Sequence, residues 1–321
     1  MTGQRLGFLH RPLGGVAKAG LIADCIAARG LVVTPIIDHE IQRGAFDVLW
    51  IQGNLNWYPA ARHSLAAMRS PERPLVILWH TEPLPLPAAA GLSLPLPTLR
   101  EVAKIVTRDT RATDPRTNAR RIGEMRRAGI PDVFVVSTAS RKYWLEEHGI
   151  ESHFVPVGYF PTQGCDLGLE RDIEALFIGI MTDPRHRRAV RYLERKGVDI
   201  TAIGDWTKRG LWGQKRTEMI NRSRFFLGLQ RHRGELSGVR MILGMANGAL
   251  VISEPIFQPE PYVPGRHFVS VPLTEMPEAI RYYTEHRSEA DTIAKEGQRF
   301  VTTELTIAGS VDRILGIAGL L

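Results

Sequence analysis

Cysteine is nearly missing from this sequence. Two occur in 321 residues, Cys25 and Cys165, and neither sits in a C-x-x-C spacing. That excludes a disulfide framework and a structural zinc site, and leaves buried or incidental thiols. Aromatic side chains are scarce, at 7%. The arginine-rich stretch "TRDTRATDPRTNARRIGEMRRAG" (107–129) has none, and acids interleave with its arginines. A groove for nucleic acid stacks bases on rings, so no nucleic-acid partner is expected. No apolar run is long enough to cross a bilayer. The start, "MTGQRLGFLH", lacks the apolar core of a signal peptide and reads as an immediate first strand. The expected location is the cytoplasm.

What is present is the composition of a soluble globular protein, 44% hydrophobic and 23% charged. The length suits two domains better than one core. Net charge is +7. The first 160 residues hold 19 basic and 14 acidic side chains, the remainder 22 and 20. The excess concentrates in 107–129, which would suit an anionic membrane face or an acidic acceptor as a peripheral contact. A solvated helix with its leading loop is the plainer alternative.

Short apolar runs alternate with helical patterns. Strands are predicted at 5–10, 31–37, 46–53, 73–80, 102–109, 132–138 and 152–159, with a helix at 15–30 stopped by Gly30. The pattern restarts with a strand at 172–180, a helix at 185–197, and strands at 198–205, "RFFLGLQ", "ALVISEP" and "HFVSV", with helices between and after them. Such alternation means βα units and parallel sheets with helices on both faces. The predicted fold class is therefore α/β, with two doubly wound Rossmann-like domains facing across a cleft. Residues 1–161 form the N-terminal domain and 172–305 the C-terminal domain. A last helix, 306–321, is free to pack back on the first domain. The irregular stretch 160–172 is the expected linker. A second, "TEPLPLPAAAGLSLPLPT" (81–98), follows the fourth strand.

Open α/β sheets bind ligands at the carboxyl ends of their strands. After the first strand, Gly14 and Gly15 open a helix, which leaves N–H groups free. After the fourth, His80 and Glu82 share a side if the chain stays extended, and a histidine there can bond a hydroxyl or take a proton. After the first strand of the second half, Arg185, Arg187 and Arg188 crowd a helix start, where cations are unfavourable unless an anion joins them. The fullest signal is "GELSGVRMILGMANGALVISEP" (234–255). Its helix starts near Val239, so N–H groups at Ser237, Gly238, Val239 and Arg240 are candidates to hold a diphosphate. Gly238 lets a phosphate approach the backbone. Glu235 would repel a phosphate, so it more plausibly addresses neutral hydroxyls, such as those of a sugar.

These residues carry a resemblance. "ELSGVRMILGMANGALVISE" resembles the donor segment E-x-F-G-x-x-x-x-E-A-M-A-x-G-x-P-V-V-A of retaining GT-B glycosyltransferases, and "RMILGMANG" is similar to the R-L-F-E-A-M-A-C-G core of CgeB-like, glycosyl-transferases-group-1 proteins. The resemblance covers most of 132–305. It implies a nucleotide-diphosphate sugar as substrate rather than any cofactor, with the donor on the C-terminal domain. An acceptor, whether glycan, lipid, small molecule or protein, would sit on the N-terminal one. It places Glu235 on the donor sugar, Arg185 on the diphosphate, His80 at the reaction centre and Gly14–Gly15 on the acceptor side. One position departs. The motif's second glutamate, which holds the ribose, is Leu243 here, and leucine accepts no hydrogen bond. Glu254 is the candidate substitute. No D-x-D pair ends a predicted strand, so transfer is expected to be metal-independent, with retention as the family's usual outcome. A GT-B binding module without turnover and a sugar-nucleotide epimerase on the same scaffold are the competing readings.

Overall fold

The computed structural model describes residues 3–11, 16–68, 72–92, 99–107, 114–204 and 213–321. Packing divides the chain into two units. The first comprises residues 1–156 with 307–321, the second 157–306.

The first unit runs β1 (Arg5–Leu9), α1 (Val16–Ala27), β2 (Val32–Ile36), β3 (Val48–Gln52), α2 (Pro59–Ala67), β4 (Leu75–His80), α3 (Leu99–Val106), α4 (Pro115–Arg127), β5 (Val133–Val136), α5 (Ala139–Glu147) and β6 (His153–Phe154). Its sheet is parallel, in the order β2-β1-β3-β4-β5-β6. The central strands are "FL", "VLWI" and "VILW", apolar on consecutive residues because helices cover both faces. Trp50 and Trp79 meet edge to face at 6.0 Å in the fully buried interior.

The second unit runs β7 (Ile173–Ile178), α6 (Pro184–Arg195), β8 (Ile200–Ile203), α7 (Gln214–Asn221), β9 (Ser223–Gly228), α8 (Gly238–Ala246), β10 (Leu250–Ser253), β11 (Val269–Ser270), α9 (Met276–Glu285) and α10 (Arg287–Arg299), and ends in a wide helical turn, Phe300–Glu304. Its parallel sheet has the order β11-β10-β9-β7-β8. The final helix, α11 (Ile307–Ile317), packs in the first unit. There Asp312 takes a two-pronged bond from Arg29 at 2.7 and 2.6 Å, and the Ser310 hydroxyl donates to the Pro156 carbonyl at 2.8 Å.

Two predicted strands come out differently. A strand is expected over 102–109, but Leu99–Val106 form α3. Apolar residues at 99, 102 and 106 have helical spacing, and that period prevails over local β propensity. The strand expected over 152–159 shrinks to His153–Phe154, since Pro156 cannot donate to a ladder. Among the described residues no helix is long and apolar enough to cross a membrane.

Candidate functional site

In each sheet one strand is flanked by the two strands that wind away from it in opposite directions. The crevice beside it, at the carboxyl ends, is where a doubly wound sheet admits ligands. In the second unit that crevice lies between β7 and β9.

The loop after β7 is shaped by Asp183. Its carboxylate caps α6, accepting from the N–H groups of Arg185 and His186 at 2.9 and 3.2 Å, with Pro184 at the first helical position. This turns Arg185 back toward the sheet. Its guanidinium donates in a fork to both carboxylate oxygens of Glu254, 2.8 Å from Oε2, and also to the Gln230 carbonyl. Glu254 follows β10 and Gln230 follows β9. The Gln230 N–H also donates to Glu254 Oε2, at 2.8 Å. The Gln230 side chain completes the brace. Its amide donates to the Glu254 and Pro255 carbonyls at 3.2 and 2.9 Å, and its oxygen accepts from Gly234 N–H at 2.7 Å. Three loops are thus tied through one buried ion pair.

The start of α8 is left open. The N–H groups of Arg240 and Met241 donate to the Ser237 carbonyl at 3.0 and 3.1 Å. Those of Ser237, Gly238 and Val239 have no acceptor among the described residues. A Cβ added at Gly238 would meet nothing within 4 Å, so the space beside this turn is free. The half-buried Arg240 side chain lies along the crevice. Its Nη1 donates to the Leu229 carbonyl at 2.8 Å, and its guanidinium sits 5.4 Å from the centre of the Phe177 ring. Burial lowers its pKa to about 10, opposed by the charges of Glu235 and Glu254, so it remains a cation at neutral pH. Glu235 is half-buried, its N–H bonded to the His232 carbonyl at 3.2 Å and its carboxylate in no ion pair among the described residues.

The structure therefore brings together Arg185, Glu235, Ser237, Gly238, Val239, Arg240 and Glu254, seven of the residues picked from sequence. It changes the relation between two of them. Arg185, expected on a diphosphate, and Glu254, expected on a ribose, are bonded to each other. Leu243 is buried in an apolar cluster with Met241, Ile242 and Met245 and presents nothing to a ligand. Sequence reasoning missed Gln230 and Asp183. Asp183 was legible in "DPRH" as a cap before proline; Gln230 gives no local signal.

The first unit's crevice lies between β1 and β3. Gly14 and Gly15 lie outside the described residues. Arg11 covers the Trp57 ring at 4.4 Å. The same unit holds an amide network, which Arg62 joins by donating to Asn56 Oδ1 at 2.6 Å. Asn54 donates to Asn118 Oδ1 at 2.9 Å and accepts from the Asn56 N–H at 2.9 Å, while Asn118 donates to the Pro83 carbonyl at 2.8 Å. His80 ends β4 with no exposed surface. Its ring meets Phe134 edge to face, and neither nitrogen has a partner. Burial, helped by the charge of Arg141, lowers its pKa to about 3, which keeps the ring neutral. The hydroxyl-binding or proton-accepting role expected of His80 has no geometric support in this conformation. Glu82, two residues on, is half-buried in the loop after β4.

A search of solved structures returned whole-chain likenesses. Sucrose-phosphate synthase from Thermosynechococcus elongatus aligns with a TM-score of 0.63 at 12% identity, over 98% of each chain. Anabaena Alr3699/HepE, solved with UDP and glucose, gives 0.60 at 10% identity, over 99% of this chain and 100% of that one. The T4 phage β-glucosyltransferase gives 0.58 at 11%, over 97% and 98%. The chain has the GT-B fold. Likeness at such identity establishes architecture and not chemistry. Within the GT-B chain, a family described as glycosyl transferase-like matches residues 185–316, beginning at Arg185 itself. No curated protein matches the sequence.

Proposed function

We propose that this chain is a glycosyltransferase that moves a sugar from a nucleoside-diphosphate donor to an acceptor. One observation carries the reading. The second unit's switch point combines a cationic side chain with three N–H groups at the start of α8 and a carboxylate at Glu235 that have no partner among the described residues. The N–H groups and positive charge suit paired phosphates, and Glu235 suits sugar hydroxyls. The likeness to a structure solved with UDP and glucose supports the same reading, as does the glycosyl transferase-like match over 185–316.

In the reaction, the bond from the anomeric carbon to the diphosphate oxygen breaks, the acceptor hydroxyl oxygen takes its place, and the hydroxyl proton passes to the departing nucleoside diphosphate. Charge grows on the leaving diphosphate, and donors already aimed at it lower the barrier. The transition state at carbon is oxocarbenium-like, and Glu235 holds the sugar against it. We read the transfer as metal-independent, so turnover should survive EDTA. Thermal shift with UDP-, GDP- and dTDP-sugars, followed by release of the nucleoside diphosphate from whichever donor binds, tests the proposal. The reading fails if none of these donors raises the melting temperature.

A binding module without turnover is the second reading, favoured by Leu243. Its side chain lies in the core where the resembling motif has a ribose-holding glutamate. Donor binding with no release of nucleoside diphosphate across a broad acceptor panel would establish it.

A further inference from the structure

Arg185 and Arg240, two of the arginines at the second unit's switch point, are not equivalent; a third, Arg231, pairs with Asp183 at 3.4 Å. Arg185 has spent its charge. Its fork is closed on Glu254, whose side chain is 7% exposed, and a third bond goes to the Gln230 carbonyl. Swinging Arg185 onto a ligand would strand a buried carboxylate without its counter-ion, a state proteins avoid. Arg240 is the opposite case. Among the described residues it makes one hydrogen bond, to a neutral carbonyl, and it rests on the face of Phe177. Among the described residues no carboxylate lies within ion-pair distance of it. Of five guanidinium N–H donors, one is committed.

Its placement in α8 adds to this. Arg240 is the third residue of the helix, in the first turn, where the dipole disfavours a cation. The same turn carries the unbonded N–H groups of Ser237, Gly238 and Val239. An anion lodged there would relieve all three costs together, the unmatched charge, the opposed dipole and the idle donors. Resting on the diphosphate reading above, we propose that Arg240, and not Arg185, is the side-chain cation that meets the donor's phosphates. Arg185 and Glu254 form an internal brace that sets the loops around it.

The test uses the full chain, with inorganic pyrophosphate, UDP and GDP as probes in calorimetric titrations. Four proteins are compared: wild type, Arg240→Gln, Arg240→Lys, and the double variant Arg185→Met with Glu254→Met, which removes the brace's two charges together. Arg240→Gln should weaken pyrophosphate at least tenfold and flatten its dependence on salt, since a charge contact is lost. Arg240→Lys should regain part of the affinity, because the charge returns without the fork. The double variant should stay within threefold of wild type. The assignment is overturned if Arg240→Gln binds as wild type does, or if the folded double variant loses tenfold or more. Arg240 belongs to no ion pair, so Arg240→Gln decides the matter alone should the double variant not fold. Failure of the wild type to bind any of the three probes would instead overturn the proposed function itself.

Discussion

The two crevices of this molecule share a topology and differ in chemistry. In the first unit, the loops behind β3 and β4 are joined by amides, with Asn54, Asn56 and Asn118 bonding one another and a neutral, sealed His80 beside them. In the second, the loops behind β7, β9 and β10 are joined by a charged fork, and a second arginine stands open in front of it. Winding order decides only where loops converge. The residue types delivered there decide what can be met. Amide networks are directional, and the cation that joins this one, Arg62, donates to the Asn56 side-chain oxygen at 2.6 Å rather than closing on a carboxylate. A paired fork beside an unpaired cation does both jobs, bracing and attraction, with separate residues. The glycosyl transferase-like match begins at Arg185, the first member of this charged set.

If charge braces one crevice and amides the other, removing each should cost different amounts. Glu254→Ala leaves Arg185 without its partner in a poorly solvated site and should destabilise by about 3–5 kcal/mol. Asn118→Ala leaves the Asn54 amide and the Pro83 carbonyl unsatisfied and should cost about 1–3 kcal/mol. Urea unfolding of both variants checks the order. A smaller loss for Glu254→Ala than for Asn118→Ala would mean that the fork is not the main tie.

Much of this architecture is legible in the sequence, for identifiable reasons. Strands such as "VLWIQ" and "IEALFI" are apolar on consecutive residues, which only a sheet covered on both faces requires. The start of α8 shows through Ser237 and Gly238, and its end through Gly248, at φ +70°. The individual residues Arg185 and Glu254 stand out as well. Their pairing does not, because 69 residues separate them and only the sheet order brings β7 and β10 to either side of β9. Gln230 is invisible for the same reason. Its partners are carbonyls and a carboxylate supplied by other loops. His80 shows the opposite failure. Its place at the end of β4 is read correctly, but the depth of the ring depends on Phe134 from the neighbouring strand.

His80 sharpens the comparison through pH. Its pKa in the folded chain, about 3, lies below the ordinary value of 6.5. Between those values the unfolded chain binds a proton that the folded chain refuses. Stability is therefore full above about pH 6.5 and falls as the solution is acidified toward pH 3. From pH 7 to pH 5 the loss from this residue is about 2 kcal/mol. Urea unfolding of His80→Leu at the two values should show that much less acid sensitivity than wild type. An unchanged pH dependence would mean that the ring is reached by water or by a partner, and that the first crevice is less closed than the packing indicates.

The smallest expected effect on stability falls on the residue expected to matter greatly for turnover. Glu235 holds no hydrogen bond through its carboxylate and only approaches Arg240 in charge. Glu235→Gln removes a charge without removing a brace, so stability should move by no more than about 0.5 kcal/mol. A carboxylate that bonds a sugar hydroxyl contributes about 1.5–3 kcal/mol, which in a transfer assay is roughly a 10- to 150-fold loss of kcat/KM. The pair of measurements separates two uses of acidic side chains whose charges both act on Arg240. Loss of Glu254 alone should cost stability because it strands Arg185, and Glu235 should be dispensable for folding but not for chemistry. A Glu235→Gln protein that is destabilised by 2 kcal/mol or more would place this carboxylate in the brace and leave the donor sugar to another residue.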